Sequence, residues 1–505
     1  MSVLHGAPPR GGDTVPEGLT FRPGKFGRMF PSLPPFRPPR EQLVALGRAM
    51  RDPNGADPAG DNLRLPAGYT YLGQFIDHDI TFDVTPLGEA AIDPLAVDNF
   101  RSPKLDLDGL YGLGPRAQPY LFSRASHGAK FLIGRTRPSA DTAARPCLRA
   151  RDNDLPRSAA GDVLIGESCT GPHDPMETPG PLSEGLALIG DPRNDENLIV
   201  AQLHLAFLKF HNKIVDQLPS SASTFEHARR LVTWHYQWIV LHDFLPRLVD
   251  PAVLGDVLCH GRRFYNVGDY AFIPVEFSVA AYRLGHSMVR QEYSYNRVFN
   301  PGPVRLARAT LDLLFRFTGL SGTDVPVPSN LIIDWRRFFD GLPKPPGVEH
   351  FNYSRKIDPF VAAALHGLPG GADPSLPVRN LLRGAALGLP SGQAIARFMN
   401  EPVLSRDRIA AGPDGREARA QGLDEESPLW FYILKEAQLV AGGERLGPVG
   451  SRILSEVFVG LLQADPTSFV SLDPSWHPTL PGAEPGSFTM ADLLTFVDEV
   501  NPLGD

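Results

Sequence analysis

The stretch Gly73-Gln74-Phe75-Ile76-Asp77-His78-Asp79 sets one histidine between two carboxylates, on a segment otherwise built from apolar residues. From Tyr71 to Phe82 the apolar positions Leu72, Phe75, Ile76 and Ile80 follow helical spacing, so a short buried helix is expected there. Gln74 and His78, one turn apart, then share a face. A polar group left unpaired in a core costs about 1–3 kcal/mol. This face must therefore meet a solvent cleft, a metal or a ligand.

Three later segments supply groups of matching chemistry. Arg193 and Glu196 stand in Gly190-Asp191-Pro192-Arg193-Asn194-Asp195-Glu196-Asn197, His286 in Tyr282-Arg283-Leu284-Gly285-His286-Ser287, and Asn380 and Arg383 in Arg379-Asn380-Leu381-Leu382-Arg383-Gly384. Around them, 42% hydrophobic residues are enough for a substantial core, while 49 glycines and 51 prolines imply many turns and long connections. A helical, loop-rich protein follows. Residues 1–40 form a Pro-rich arm whose phenylalanines are expected to dock on the body, and residues 41–505 one large domain. Helices are expected over 41–50, 196–218, 232–248 and 277–289, with a helical hairpin over 429–462 and loop-like chain between 93 and 156.

The balance of 49 basic against 57 acidic residues, a net charge of −8, offers no basic stripe and speaks against a nucleic-acid partner. Cys147, Cys169 and Cys259 form no CxxC pair and leave at least one thiol unpaired, so neither a disulfide framework nor a cysteine nucleophile is expected. The N-terminal residues lack a basic stretch followed by an apolar one, and no run of about 18 apolar residues occurs. The expectation is a chain without a membrane span, cytoplasmic by default, with non-classical export the alternative.

Together the four segments resemble the haem peroxidases of the animal type, the superfamily that also contains cyclooxygenases and fatty-acid dioxygenases. The match to Gln-Phe-x-Asp-His-Asp runs through Gln74, Phe75, Asp77, His78 and Asp79, and the match to Arg-x-x-Glu through Arg193 and Glu196. The resemblance implies a mainly α, single-domain, loop-rich haem peroxidase fold with the haem between distal and proximal helices. It casts His78 as the base that moves the peroxide proton, Arg193 as the cation that stabilises the developing charge, and Gln74 as a partner of distal water or halide. It makes His286 the axial ligand of the haem iron and Asn380 the acceptor of its other N–H. Arg283 and Arg383 become partners of the haem propionates. Asp77 and Glu196 fall where many members form ester bonds to haem b. Asn197 stands where myeloperoxidase has a methionine, so a sulfonium link is not expected.

The resemblance also implies one calcium ion, held by Asp79, Ser102, the carbonyl of Lys104, Asp106 and Asp108, the last standing where mammalian members have serine. The alternation Asp106-Leu107-Asp108-Gly109 suits a hard cation on its own account. His204, His211, His235 and His242 read as core or hydrogen-bonded structural residues. The implied activity is reduction of hydrogen peroxide with oxidation of halide, thiocyanate or phenolic donors through a ferryl porphyrin-radical intermediate, by a bacterial-looking, stand-alone member active in the response to oxidative stress. The competing reading is a fatty-acid dioxygenase, which places a tyrosine three residues before the proximal histidine. Arg283 stands there instead, and Tyr282, one residue off, is expected to point elsewhere. A non-catalytic haem-bearing adhesion or sensor module is the second alternative.

Overall fold

The computed structural model describes residues 24–82 except 54 and 56, 98–139, 152–159, 185–268 except 222 and 223, 271–300, 309–344 except 323, 351–368 and 373–504. Cys147 and Cys169 lie outside the described residues, as does the arm before residue 24. Cys259 is an exposed free thiol.

The segment with the histidine between carboxylates is a helix, Gly68–Ile80, with Leu72, Phe75 and Ile76 essentially inaccessible and Gln74 and Asp77 only half-buried. It packs on the long Leu198–Gln217 helix, where the rings of Phe75 and Phe207 stack at 4.7 Å. That helix starts two residues later than the sequence suggests, because the Asn197 side chain accepts from Val200 N at 3.0 Å and so caps it. Thr224–Ile239 begins eight residues before the expected 232, and continues through a π turn, Val240–Phe244, into Leu245–Leu248. Its charged first turns hid the start. Leu429–Ala441 and Pro448–Ala464 form the expected hairpin.

The expected single helix over 277–289 is broken. A π turn, Glu276–Ala280, gives way at Ala280 (φ −126°, ψ −74°) to a 3₁₀ turn, Ala281–Leu284, and then to one α turn, Gly285–Met288. Wide turns of this kind re-aim side chains and gather at functional sites. Periodicity alone cannot register such a break. The helix Leu376–Ala386, which bears Asn380, was not visible as a helix because Pro377 and Gly384 interrupt its pattern. It crosses Arg40–Ala49 so closely that a Cβ on Gly47 would lie 2.8 Å from Val378 Cγ2.

Strands are short. Gly24–Gly27 pairs antiparallel with Asp98–Asn99 and parallel with Ile273–Pro274, so the described part of the arm is stitched into the body. Phe26 and Phe30 are buried, and the carboxylate of buried Glu276 accepts from Met29 N and Phe30 N at 3.0 and 3.3 Å. Asp61–Pro66 pairs with Tyr353–Arg355, and Glu292–Tyr293 with Ala309–Thr310. The result is one large, mainly α domain around one continuous core. Among the described residues no helix is long and apolar enough to cross a membrane.

Candidate active site

The half-buried face of Gly68–Ile80 opens on a cavity of about 920 Å³, within the usual range for ligand sites. Gln74, Asp77, His78, Arg193, Glu196, Arg283, His286, Asn380 and Arg383 all line it, among apolar walls that include Phe244, Val279, Leu311 and Leu376. Residues more than 300 positions apart in the chain thus meet at one place. A second, larger groove lies beside the loop 102–108 and shares none of these groups.

His78 is held on its inner nitrogen. Asn194 Nδ2 lies 3.0 Å from Nδ1 of His204, and Asn194 Oδ1 lies 2.9 Å from Nδ1 of His78. An amide that donates through nitrogen to His204 keeps its oxygen to accept the Nδ1–H of His78, so the lone pair of His78 is on Nε2. Burial, assisted by the nearby Arg193, lowers the imidazole to about 4 and keeps it neutral. Its Nε2 lies 3.7 Å from Glu196 Oε1. Burial raises the Glu196 carboxyl to about 7 against the pull of Arg193, so this approach is not an ion pair.

Arg193 is fixed from several sides. Its Nε donates to both Asp191 oxygens at 3.1 and 3.2 Å, its Nη2 to Asp191 Oδ2 at 2.6 Å and to the His78 carbonyl at 2.9 Å, and its guanidinium lies 4.3 Å over the Phe82 ring. Burial alone would raise Asp191, but Arg101 and Arg193 together hold it well below the usual carboxylate range. Gln74 donates through Nε2 to Glu196, and its oxygen accepts from Asn197 Nδ2 at 2.9 Å. Asn197 therefore both caps a helix and orients Gln74.

Asn380 presents its Nδ2, a donor, 2.7 Å from His286 Nδ1, so the acceptor role expected of Asn380 requires its amide turned over to bring Oδ1 to that nitrogen. Burial, reinforced by the Arg283 charge, lowers the His286 imidazole to about 3, so it is a neutral nitrogen donor. Arg283 lies 3.3 Å from Asp77 Oδ2 and donates to Ser278 O at 2.8 Å, while Asp77 Oδ1 accepts from Thr81 Oγ1 at 2.9 Å. Arg383 lines the cavity nearby. Tyr282, expected to point elsewhere, instead lies along the cavity wall with its hydroxyl donating to Gly73 O at 3.1 Å. Its ring stacks on Phe277 at 4.8 Å, and the helix break beside it turns it there. The donor set suits a haem: a neutral imidazole for the metal, a second neutral imidazole and a fixed cation beside the open space, and guanidiniums for propionates.

The second cluster sits behind the helix. Asp79, Asp106 and Asp108 bring carboxylate oxygens within 4.8 Å of one another. Asp79 Oδ1 is buried with no hydrogen-bond partner, while Oδ2 accepts from Tyr236 at 3.1 Å. Ser102 donates through Oγ to Asp106 at 2.9 Å and through N to Asp108 at 3.1 Å. Burial, then the mutual repulsion of the carboxylates, raises Asp79 well above its ordinary range, and burial likewise raises Asp106 and Asp108. Such a group of like charges calls for a cation with oxygen ligands. Lys104 sends its Nζ to Asp465 Oδ1 at 3.0 Å, so any part it takes falls to its carbonyl.

Sequence reasoning missed Asn194, Asp191, Arg101, Phe82 and Tyr236. Four of these are polar and Phe82 is aromatic, and no local pattern shows a partner 90 or more positions away, such as Arg101 and Tyr236 find. His204, His211 and His235 are buried as expected. His242 is not: it is exposed, its ring tilted against that of Trp238 with centroids 4.0 Å apart.

Residues 148–313 match the family model described as animal haem peroxidase, a span that includes Arg193, Glu196 and His286. A "Peroxidase-like protein" of Margaritifera margaritifera is 30% identical over 267 residues, 46% of this chain and 32% of that protein. "Chorion peroxidase" of Drosophila melanogaster is 29% identical over 301 residues, 55% of this chain and 34% of that one. The matches thus span about a third of the length of these relatives. Among solved structures, peroxidase A from Dictyostelium discoideum is similar with a TM-score of 0.60 at 15% identity, over 95% of this chain and 94% of that one. Fatty acid alpha-dioxygenase of Oryza sativa is similar with a TM-score of 0.58 at 14% identity, over 95% and 80%. At such identities these two show the fold.

Proposed function

The chain belongs to the peroxidase-cyclooxygenase superfamily, and from that premise we propose that it is a haem peroxidase that reduces hydrogen peroxide and oxidises halide, thiocyanate or small phenolic donors. The observation that carries this is the pairing, in one cavity, of a neutral histidine whose inner nitrogen is held and an arginine locked on a buried carboxylate. Bound there, haem would supply the iron that takes up peroxide and accepts two electrons' worth of oxidation. His286 would hold the iron, with Asn380 on its far nitrogen, and Arg283 and Arg383 would meet the propionates. His78 Nε2 takes the first peroxide proton and returns it to the departing oxygen, while Arg193 stabilises the charge that develops there. Gln74 would orient a small donor or water. Arg283 rather than a tyrosine stands three residues before His286, which favours peroxidase over dioxygenase chemistry.

Asp77 and Glu196 both line the cavity and would form the ester links to the ring. The test is to load the protein with haem, treat it briefly with peroxide, record its optical spectrum and extract with acid acetone. Haem is expected to stay with the chain, and peroxide to oxidise bromide, thiocyanate or a phenol. A protein that takes up no haem, or takes it up and consumes peroxide no faster than free haem, would overturn the proposal. Complete extraction would remove the ester links alone.

Asp79, Ser102, the Lys104 carbonyl, Asp106 and Asp108 would hold calcium. Carboxyls whose folded pKa is raised contribute stability below their ordinary pKa and lose it as pH rises through the folded value. Calcium would replace the lost protons. The melting temperature should therefore rise with added calcium, and by more at pH 8 than at pH 5, as scanning calorimetry would show. Equal effects at both pH values would refute the site.

A further inference from the structure

Arg193 is held by a carboxylate that is itself held. Asp191 is wholly inaccessible, and its oxygens are shared between two guanidiniums. Arg193 takes both through Nε and Nη2, and Arg101 takes Oδ2 through Nε at 3.0 Å and Nη2 at 2.5 Å. Arg101 is only 1% exposed, a burial that an arginine sustains only when paired. Its remaining nitrogen, Nη1, lies 3.3 Å from Asp108 Oδ1, and its own backbone N donates to Asn99 Oδ1 at 3.3 Å. The same Phe82 ring carries both cations, Arg193 at 4.3 Å and Arg101 at 5.7 Å. The charges alternate along one buried line: Arg193, Asp191, Arg101, Asp108.

A single carboxylate facing one guanidinium can rock about that contact. Pinned from behind by a second guanidinium, it presents a fixed edge. Gly190 lets this happen: a Cβ there would lie 2.5 Å from the Gly109 carbonyl, so the Asp191 loop sits hard against the loop of Asp108. We propose that Arg101 is a positioning residue for Arg193, acting through Asp191 to hold the distal cation in the orientation that peroxide requires. The inference rests on the peroxidase reading above. Arg101 does not line the cavity, so any effect it has on cavity chemistry is transmitted.

The probe is cyanide binding to the ferric, haem-loaded protein, followed by stopped-flow absorbance. Hydrogen cyanide must give its proton to a cavity base and bind as an anion beside a cation, so its association rate reads His78 and Arg193 without turnover. Arg101→Gln should slow cyanide association roughly 10–100-fold, the usual span for a residue that orients a functional group. Arg101→Lys, which keeps the charge and loses the two-point grip, should slow it by roughly three- to tenfold. In an Arg193→Gln background neither substitution should slow it further, because residues acting through one another are not additive. Wild-type association rates in both Arg101 variants, with only a lowered melting temperature, would reduce Arg101 to a structural ion pair. Full additivity with Arg193→Gln would overturn the route through Asp191. If Arg101→Gln does not fold, Arg101→Lys decides by the same two criteria. Failure of the wild type to take up haem, or an unchanged rate in Arg193→Gln alone, would overturn the peroxidase reading and this inference with it.

Discussion

Replacing His78 by alanine slows the reaction of the haem-loaded protein with hydrogen peroxide by roughly two to four orders of magnitude, the contribution expected of a general base. The expectation comes from the whole shell, not from the residue type. The amide of Asn194 bridges His78 and His204, which settles the tautomer and aims the Nε2 lone pair. Burial keeps the ring neutral down to about pH 4, so the rate should be flat above pH 5 and fall as pH drops through 4. The measurement is the second-order rate constant from stopped-flow spectra between pH 4 and 8. An unchanged rate in the alanine variant would remove His78 from the mechanism. Stability has to be followed alongside. Burial lowers His78 to about 4 and His204 to about 3 in the folded chain, against about 6.5 when unfolded. The unfolded chain therefore binds more protons between these values, and stability declines as pH falls from about 6.5 toward 4. Rates below pH 5 belong only to protein shown by circular dichroism to remain folded.

Arg193→Gln should lower the same rate constant by roughly 10²–10³, the loss found when one fixed donor to a developing oxyanion is removed. Glutamine keeps a donor and most of the length but has no charge and no fork. In the native site the fork is already committed on one edge to Asp191, on another to the His78 carbonyl, and by its face to Phe82. Little reorganisation is left to pay for when charge develops. Arg193 also helps to lower His78 and pulls Glu196 down, so its removal lets both rise, and the loss should be larger near pH 5, where His78 becomes easier to protonate, than near pH 8.

Two rings show where sequence and structure part. His78 announces itself locally: apolar residues at helical spacing leave one polar face, and a histidine between carboxylates on it must have a purpose. Tyr282 does not. Its hydrophobic period predicts a continuous helix, which would carry it away from the cavity, whereas the π and 3₁₀ turns around Ala280 bring it to the wall. A hydrophobic period reports which residues face the core but not where a ladder of hydrogen bonds slips by one residue.

The resemblance to the family, the mainly helical class, and the identities of His78, Arg193, Glu196, His286 and Asn380 as groups needing a common partner are legible in the chain, because each lies in a short segment whose chemistry is complete within a few residues. The tertiary structure alone decided what holds those groups still: Asn194 on His78, Asp191 and Arg101 behind Arg193, Tyr236 on Asp79. Asp191 and Arg193 are two residues apart, but the other contacts join positions 90 to 157 apart, from Arg101 to Asp191 at one end and Asp79 to Tyr236 at the other. Buried polar atoms must find partners, but which partner is reached depends on how the helices cross and where they break, and no local pattern records that.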